Sequence, residues 1–492
     1  MTRRSARQVI DVLADDGTWE SWDTPVVVAT DDVAYADDLN SARQTTGEDE
    51  SVLTGRLSLR GWRVAVVVSE FGFLAGSIGR DAGLRVTTAI RRATAERLPV
   101  LVLPASGGTR MQEGTPAFLQ IMTITAAVVD HKAAHLPYLV YLRHPTTGGV
   151  FASWASLGHV TIAEPDALVG FLGPRVFEGL YGEPFPDGVQ RSENLRRHGI
   201  VDIVSAVDDL PVIVEVVLRV TRSSGGDGVA VPARVDREAV SVDPWDAVVA
   251  SRRGDRPGAR EVLSRMSSDL VDLSGTGEGE NDHGVIVVLA RTGGVGAVVV
   301  AQDRRQQRPG SRLGPAALRI ARRGMQIAAD LRLPLVTMID TPGADLSVAA
   351  EEGGLAGEIA RCLADLVALP TVTVSVLLGE GAGGGALALL PADRIVAASH
   401  AWLAPLPPEG ASLIVFRDTD HADVMARRQG IEAPALAARG LVDTVVDEGA
   451  DPARDPEGFA RAIGAAIVAA IGEARTIPDD RRRADRAARF AG

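Results

Sequence analysis

Short runs of β-branched apolar residues, each closed by a turn rich in glycine or proline, alternate along this chain with longer segments of helical periodicity. The runs at 64–68, 100–103, 138–142, 298–301 and 372–378 are apolar or nearly so throughout, the pattern of strands covered on both faces. Between them, Arg85-Val86-Thr87-Thr88-Ala89-Ile90-Arg91-Arg92-Ala93 and the segment 318–328 carry apolar residues at helical spacing. This alternation predicts α/β layers built on parallel strands.

The order occurs twice. Gly61-Trp62-Arg63-Val64-Ala65-Val66-Val67-Val68 resembles Gly296-Ala297-Val298-Val299-Val300-Ala301, an offset of 296 − 61 = 235, and Arg97-Leu98-Pro99-Val100 resembles Arg332-Leu333-Pro334-Leu335, where 332 − 97 is again 235. Two glycine turns hold nearly the same register. Pro145-Thr146-Thr147-Gly148-Gly149-Val150 follows the run ending at Leu142, and Gly381-Ala382-Gly383-Gly384-Gly385-Ala386 follows the run ending at Leu378. A strand that feeds a glycine turn opening a helix points backbone N–H groups at an anion. One such turn alone is most often only a tight turn; two at matching positions predict two oxyanion sites. The chain is therefore divided into an N-terminal extension (1–50), a first domain (51–221), a linker (222–260) that begins in Arg222-Ser223-Ser224-Gly225-Gly226-Asp227-Gly228, a second domain (261–478) and an Arg-rich tail (479–492).

Composition narrows the chemistry. A net charge of −13 over 492 residues argues against nucleic acid as the main partner. Cys362 is the only cysteine, which excludes disulfide frameworks and Cys-rich zinc modules. Lys132 is the only lysine, so neither a P-loop nor a covalently attached biotin fits, and ligand phosphates must be met by arginine or backbone N–H groups. His131 and His135 have the spacing of metal ligands but no third ligand nearby, and are read as a solvated helix end. Glu113, Glu351 and Glu352 are read as loop-orienting or helix-capping groups. The apolar stretch 463–471 is too short to span a bilayer, and a cytoplasmic location is expected.

The motifs resemble a known family. Ser106-Gly107-Gly108-Thr109-Arg110-Met111-Gln112-Glu113-Gly114, Pro145-Thr146-Thr147-Gly148-Gly149-Val150 and Gly170-Phe171-Leu172-Gly173-Pro174-Arg175 are similar to the β-type carboxyltransferase subunit of bacterial acetyl-CoA carboxylase. Ile339-Asp340-Thr341-Pro342-Gly343-Ala344, Gly379-Glu380-Gly381-Ala382-Gly383-Gly384-Gly385-Ala386 and Pro407-Pro408-Glu409-Gly410 are similar to the α-type subunit. The resemblance spans roughly residues 50–447 and implies both carboxyltransferase halves fused in one chain, as tandem duplicated crotonase-like ββα-spiral domains.

It further implies that a carboxyl group moves from carboxybiotin to the α-carbon of an acyl-CoA, acetyl-CoA first and propionyl-CoA next, with malonyl-CoA the product from acetyl-CoA. Two oxygens then need donors, the thioester enolate and the biotin ureido oxygen. By the family's pattern, Gly148 and Gly149 serve the acyl-CoA side and Gly384 and Gly385 the biotin side. Gly107, Gly108, Thr147, Gly343 and Gly383 line the substrates, and Arg80, Arg85 and Arg110 are the candidates for CoA phosphates. With no side-chain base evident, the released biotin nitrogen is expected to take the α-proton. The biotin carboxyl carrier protein and biotin carboxylase are expected as separate chains, and the enzyme as a homo-oligomer with sites at a dimer interface. Two departures stand out. The β-type subunit's four-cysteine zinc ribbon has no counterpart, so zinc is not expected, and Gln302-Asp303-Arg304-Arg305-Gln306-Gln307-Arg308 stands where the α-type subunit carries lysine and glycine. A malonyl-type thioester decarboxylase and a non-catalytic scaffold subunit remain as alternatives.

Overall fold

A computed structural model describes residues 3–26, 30–222, 241–308 and 312–490. Part of the expected linker, 223–240, lies outside the described residues. The chain divides into two compact units, Met1–Leu218 with Gly277–Gly279, and Arg219–Thr276 with Glu280–Gly492.

Each unit is built on one sheet covered by helices. In the first, the strand order is Glu20–Ser21, Val52–Leu59, Trp62–Ser69, Val100–Leu103, Tyr138–Leu142, Val160–Ala163 and Ile203–Val204. The second repeats it with Asp269–Leu273, Val285–Thr292, Val295–Gln302, Leu335–Thr341, Thr373–Ala382, Arg394–Ala398 and Thr444–Val446, while Trp402–Ala404 pairs with the far end of Thr373–Ala382. From Trp62–Ser69 and Val295–Gln302 onward the neighbours are parallel, but each sheet opens with antiparallel pairs. The parallel strands expected from the alternation form the body of each sheet, and two-residue turns add the antiparallel pairs at its start. Arg60 and Gly61 (φ 49° and 82°) and Gly293 and Gly294 (φ 53° and 85°) sit in the left-handed region, the geometry that closes a twisted hairpin. The registers Leu59↔Trp62 and Thr292↔Val295 follow.

After each hairpin a long helix crosses to the next strand: α3 (Arg80–Ala95) in the first unit and Pro315–Leu331 in the second. Both start from a glycine with nearly the same backbone angles, Gly79 (φ −86°, ψ −175°) and Gly314 (φ −94°, ψ −176°), again 235 apart. The core of the first unit lies between α3, α4 (Gly114–Ala133) and the sheet, with Val67, Val102, Val140, Ile90, Ile124 and Trp154 buried together. His131, expected at a solvated helix end, is instead buried beside Thr94 (Nδ1–Oγ1 2.9 Å), and desolvation pushes its imidazole down to about 4.

The extension and tail are integral to their units. Helices α1 (Ala6–Leu13) and α2 (Val33–Thr46) belong to the first, where Tyr35, Leu39 and Ala42 of α2 pack on Phe73. The Arg-rich tail forms the helix Asp479–Ala488, whose Arg486 is fully buried. It donates to both carboxylate oxygens of Asp393 (2.9 and 3.0 Å) and to the carbonyls of Leu366, Leu369 and Thr371. Among the described residues no helix is long and apolar enough to cross a membrane, and no three His, Cys, Asp or Glu side chains gather as a metal site would require.

Candidate active site

In the first unit the loop after Val100–Leu103 meets the glycine turn after Tyr138–Leu142. The Thr147 N–H donates to the Ser106 carbonyl (2.9 Å), and a Cβ built on Gly148 would lie 3.3 Å from the Gly108 Cα and 3.2 Å from the Gly107 carbonyl oxygen. A Cβ on Gly108 would in turn lie 3.4 Å from the Gly149 nitrogen. Glycine at these positions is what allows the two backbones to touch. Gly148 has φ 65° and opens the four-residue helix α5 (Gly148–Phe151).

The second unit repeats the arrangement residue for residue at the offset of 235. Gly343 (φ 123°) stands where Gly108 (φ 111°) does, and Gly383 (φ 61°) opens the helix Gly383–Leu387 as Gly148 opens α5. The Gly343 N–H is turned onto the Thr341 hydroxyl (3.1 Å) just as the Gly108 N–H is turned onto the Ser106 hydroxyl (3.0 Å). Equivalence therefore pairs Gly148 with Gly383 and Gly149 with Gly384. Gly385, expected beside Gly384 on the biotin side, matches Val150 at this offset and is buried, and a Cβ built on it would lie 3.1 Å from the Ala344 nitrogen.

Several backbone donors here are already committed. The Gly107 N–H bonds the Ala75 carbonyl (2.9 Å) and the Gly148 N–H bonds the Phe171 carbonyl (3.0 Å). Among the described residues the N–H groups of Gly149 and Gly384, each second in its helix, have no acceptor, and the first turn of a helix supplies none internally.

A polar network that the motifs did not reveal braces the second turn. Gln302 donates to the Gly385 carbonyl (2.7 Å) and accepts from the Asp340 N–H (3.2 Å), while Gln307 accepts from the Thr341 hydroxyl (2.6 Å). Asp340 accepts from the Glu380 N–H (3.0 Å) and lies 3.4 Å from the Arg304 guanidinium; Glu380 is paired with Arg252 (2.6 Å), which also holds Glu409. The heptad 302–308, where this chain departs from the family, thus supplies three members of the network.

Burial pushes the Asp340 carboxyl up to about 6, against the opposing pull of Arg304 and Arg256. A carboxyl raised on folding binds its proton more tightly in the folded state, so its contribution to stability is greatest below its unfolded value near 4 and is lost as pH rises through 6. The wild-type stability minus that of Asp340→Asn is expected to fall by roughly 2–3 kcal/mol between pH 4 and 7 in denaturant titrations. A pH-independent difference refutes it.

The three arginines proposed for phosphate part company. The Arg110 guanidinium is fully buried and is taken up by Glu50 (2.7 Å), Glu113 (3.2 Å), Ser51 and Ser77. Arg85 is buried against Asp49 (3.1 Å), Asp23 (3.3 Å) and the carbonyls of Val52 and Thr24. Both are structural ion pairs rather than free cations; the long-range carboxylates that hold them cannot be read from the local motif. Arg80 is exposed at the start of α3, with no carboxylate paired to its guanidinium among the described residues.

Comparison with known proteins accords with this geometry. The carboxyl transferase domain family matches residues 2–484. The chain is 56% identical over 493 residues to the probable biotin-dependent acyl-coenzyme A carboxylase beta3 subunit of Mycobacterium tuberculosis strain H37Rv, covering 100% of this chain and 98% of that protein. It is 36% identical over 480 residues to the acetyl-coenzyme A carboxylase carboxyl transferase subunits beta/alpha of Salinispora tropica, covering 94% and 85% respectively. Among solved structures, hexameric transcarboxylase 12S with methylmalonyl-coenzyme A and methylmalonic acid bound superimposes with a TM-score of 0.75 at 21% identity, over 97% of this chain and 90% of that one. That likeness establishes the tandem crotonase-like α/β fold.

Proposed function

The chain belongs to the carboxyl transferase family, and from that premise we propose that it moves a carboxyl group from carboxybiotin, carried on a separate protein, to the α-carbon of an acyl-CoA. One observation carries the reading: two equivalent glycine turns each present a helix-start N–H without an acceptor among the described residues. Deprotonating a thioester at its α-carbon places negative charge on the carbonyl oxygen, and a preorganised backbone donor lowers the cost of that charge without reorganising. Gly149 is the donor to the enolate oxygen. The N–H of Gly384 meets the biotin ureido oxygen, where biotin supplies an activated carboxyl group. Glycines 383 and 384 suit that role, since each is part-exposed.

With Lys132 as the only lysine, biotin must arrive on a carrier charged by a separate biotin carboxylase. Arg80 is the cation left to meet CoA phosphates, and acetyl-CoA or propionyl-CoA is the acyl substrate. The test is incubation of the purified protein with carboxylated carrier and acetyl-, propionyl- or butyryl-CoA, measuring carboxylated thioester. Transfer to acetyl- or propionyl-CoA is expected. Release of CO₂ from malonyl-CoA with no transfer to any of the three overturns the assignment in favour of a decarboxylase.

A further inference from the structure

The loop that faces Gly149 is held from behind by the N-terminal extension. Three consecutive residues, Leu74, Ala75 and Gly76, have positive φ (45°, 55° and 63°), a costly backbone for the first two. The Ala75 carbonyl nevertheless accepts the Gly107 N–H, and Gly76 packs so closely that a Cβ would lie 2.0 Å from the Ala105 carbonyl oxygen. What fixes the strained turn is α2, through the packing of Tyr35, Leu39 and Ala42 on Phe73. The second fixture is polar. The Tyr35 hydroxyl donates to Glu113 Oε1 (2.5 Å); Glu113 Oε2 accepts from the Arg80 N–H (2.6 Å); Arg110 bridges Glu113, Glu50 and the Ser77 carbonyl. Gly79 is needed because a Cβ there would lie 2.3 Å from Glu113 Oε1.

We infer that Tyr35 is a positioning residue for the reaction, fixing the 106–110 loop against Gly149 through Glu113 and Arg110. The inference rests on the carboxyltransferase reading, and it gives the extension a role in catalysis without contact with substrate. Tyr35 is buried, and its hydroxyl is raised to about 12 by burial and Glu113, so it stays a donor across the working pH range.

The test compares wild type with Tyr35→Phe, which keeps the ring on Phe73 and removes only the hydroxyl. Steady-state transfer is expected to lose about tenfold in kcat, within the range for a misplaced reacting group, with KM for acyl-CoA changed less than about twofold and the thermal midpoint nearly unmoved. Amide hydrogen exchange is read independently of activity: faster exchange over 104–113 in Tyr35→Phe is expected. Glu113→Gln is expected to act in the same direction, and the double variant to be no worse than the poorer single one. Unchanged kcat and exchange in Tyr35→Phe overturn the inference, as does a fall in kcat matched by a proportionate loss of folded protein. Absence of transfer by wild type instead refutes the functional reading and leaves the exchange arm to decide positioning.

Discussion

Gly149→Val is expected to lower carboxyl transfer about 10²- to 10³-fold, the cost of losing one preorganised oxyanion donor, while leaving the protein folded. The backbone itself tolerates a side chain there, because Gly149 is not in the left-handed region that Gly148 occupies. A Cβ on Gly149 would meet Ile121 Cδ1 at 2.5 Å and Thr109 Oγ1 at 3.3 Å. The first contact is the end of a flexible side chain in α4, so a valine is accommodated by pushing α4 and the turn apart, which carries the Gly149 N–H off its line. Trimming the obstacle separates this displacement from global damage. Ile121→Val alone is expected to be near neutral, and Gly149→Ala in that background to transfer faster than Gly149→Ala alone. The second unit holds a matching experiment, since a Cβ on Gly384 would lie 2.8 Å from Ile359 Cδ1. Initial rates of carboxylated thioester formation, read beside circular dichroism, decide it. Full activity in Gly149→Val refutes the donor assignment.

The glycine turns and their duplication were legible because the repeat preserves backbone geometry rather than side chains. Gly79 and Gly314, Gly108 and Gly343, and Arg97 and Arg332 keep nearly the same φ at the same offset. Pro145-Thr146-Thr147-Gly148-Gly149 has two glycines, whereas Gly381-Ala382-Gly383-Gly384-Gly385 has a run of three, and the offset of 235 and the positive φ of Gly383 together set the frame in which Gly383 matches Gly148. The opening hairpins were equally present in the sequence, as Arg60-Gly61 and Gly293-Gly294, but the apolar runs around them read the same in parallel and antiparallel pairing.

Charge was the least legible feature. A motif places Arg110 in a glycine loop, where phosphate is a natural partner for arginine; its actual partner, Glu50, lies 60 residues upstream. Likewise Arg486 finds Asp393 across 93 residues, turning an apparently featureless tail into a buried brace. Gln302, Gln307 and Asp340 stand in segments that the sequence marks, but their joint contact with the second turn runs through the sheet, and no local spacing marks that.

Arg110→Met is accordingly expected to destabilise the protein by about 3–5 kcal/mol, the range for removing one partner of a buried ion pair. Glu50 is fully buried, and desolvation already pushes its carboxyl upward against the pull of Arg110. Without the guanidinium, burial and the nearby Glu113 charge are opposed only by the Ser51 backbone N–H, so the carboxyl must either take a proton or stay charged without a cation. The sign of the pH dependence follows: the folded variant holds that proton more tightly than the unfolded chain, and its deficit against wild type grows as pH rises above the ordinary glutamate value. Arg110→Met with Glu50→Gln removes the stranded charge and is expected to recover much of the loss. Urea unfolding at pH 5 and pH 8 measures all three. A surface phosphate ligand predicts the opposite pattern, an unmoved midpoint at both pH values with only the KM for acyl-CoA raised, and that outcome restores Arg110 to the CoA site.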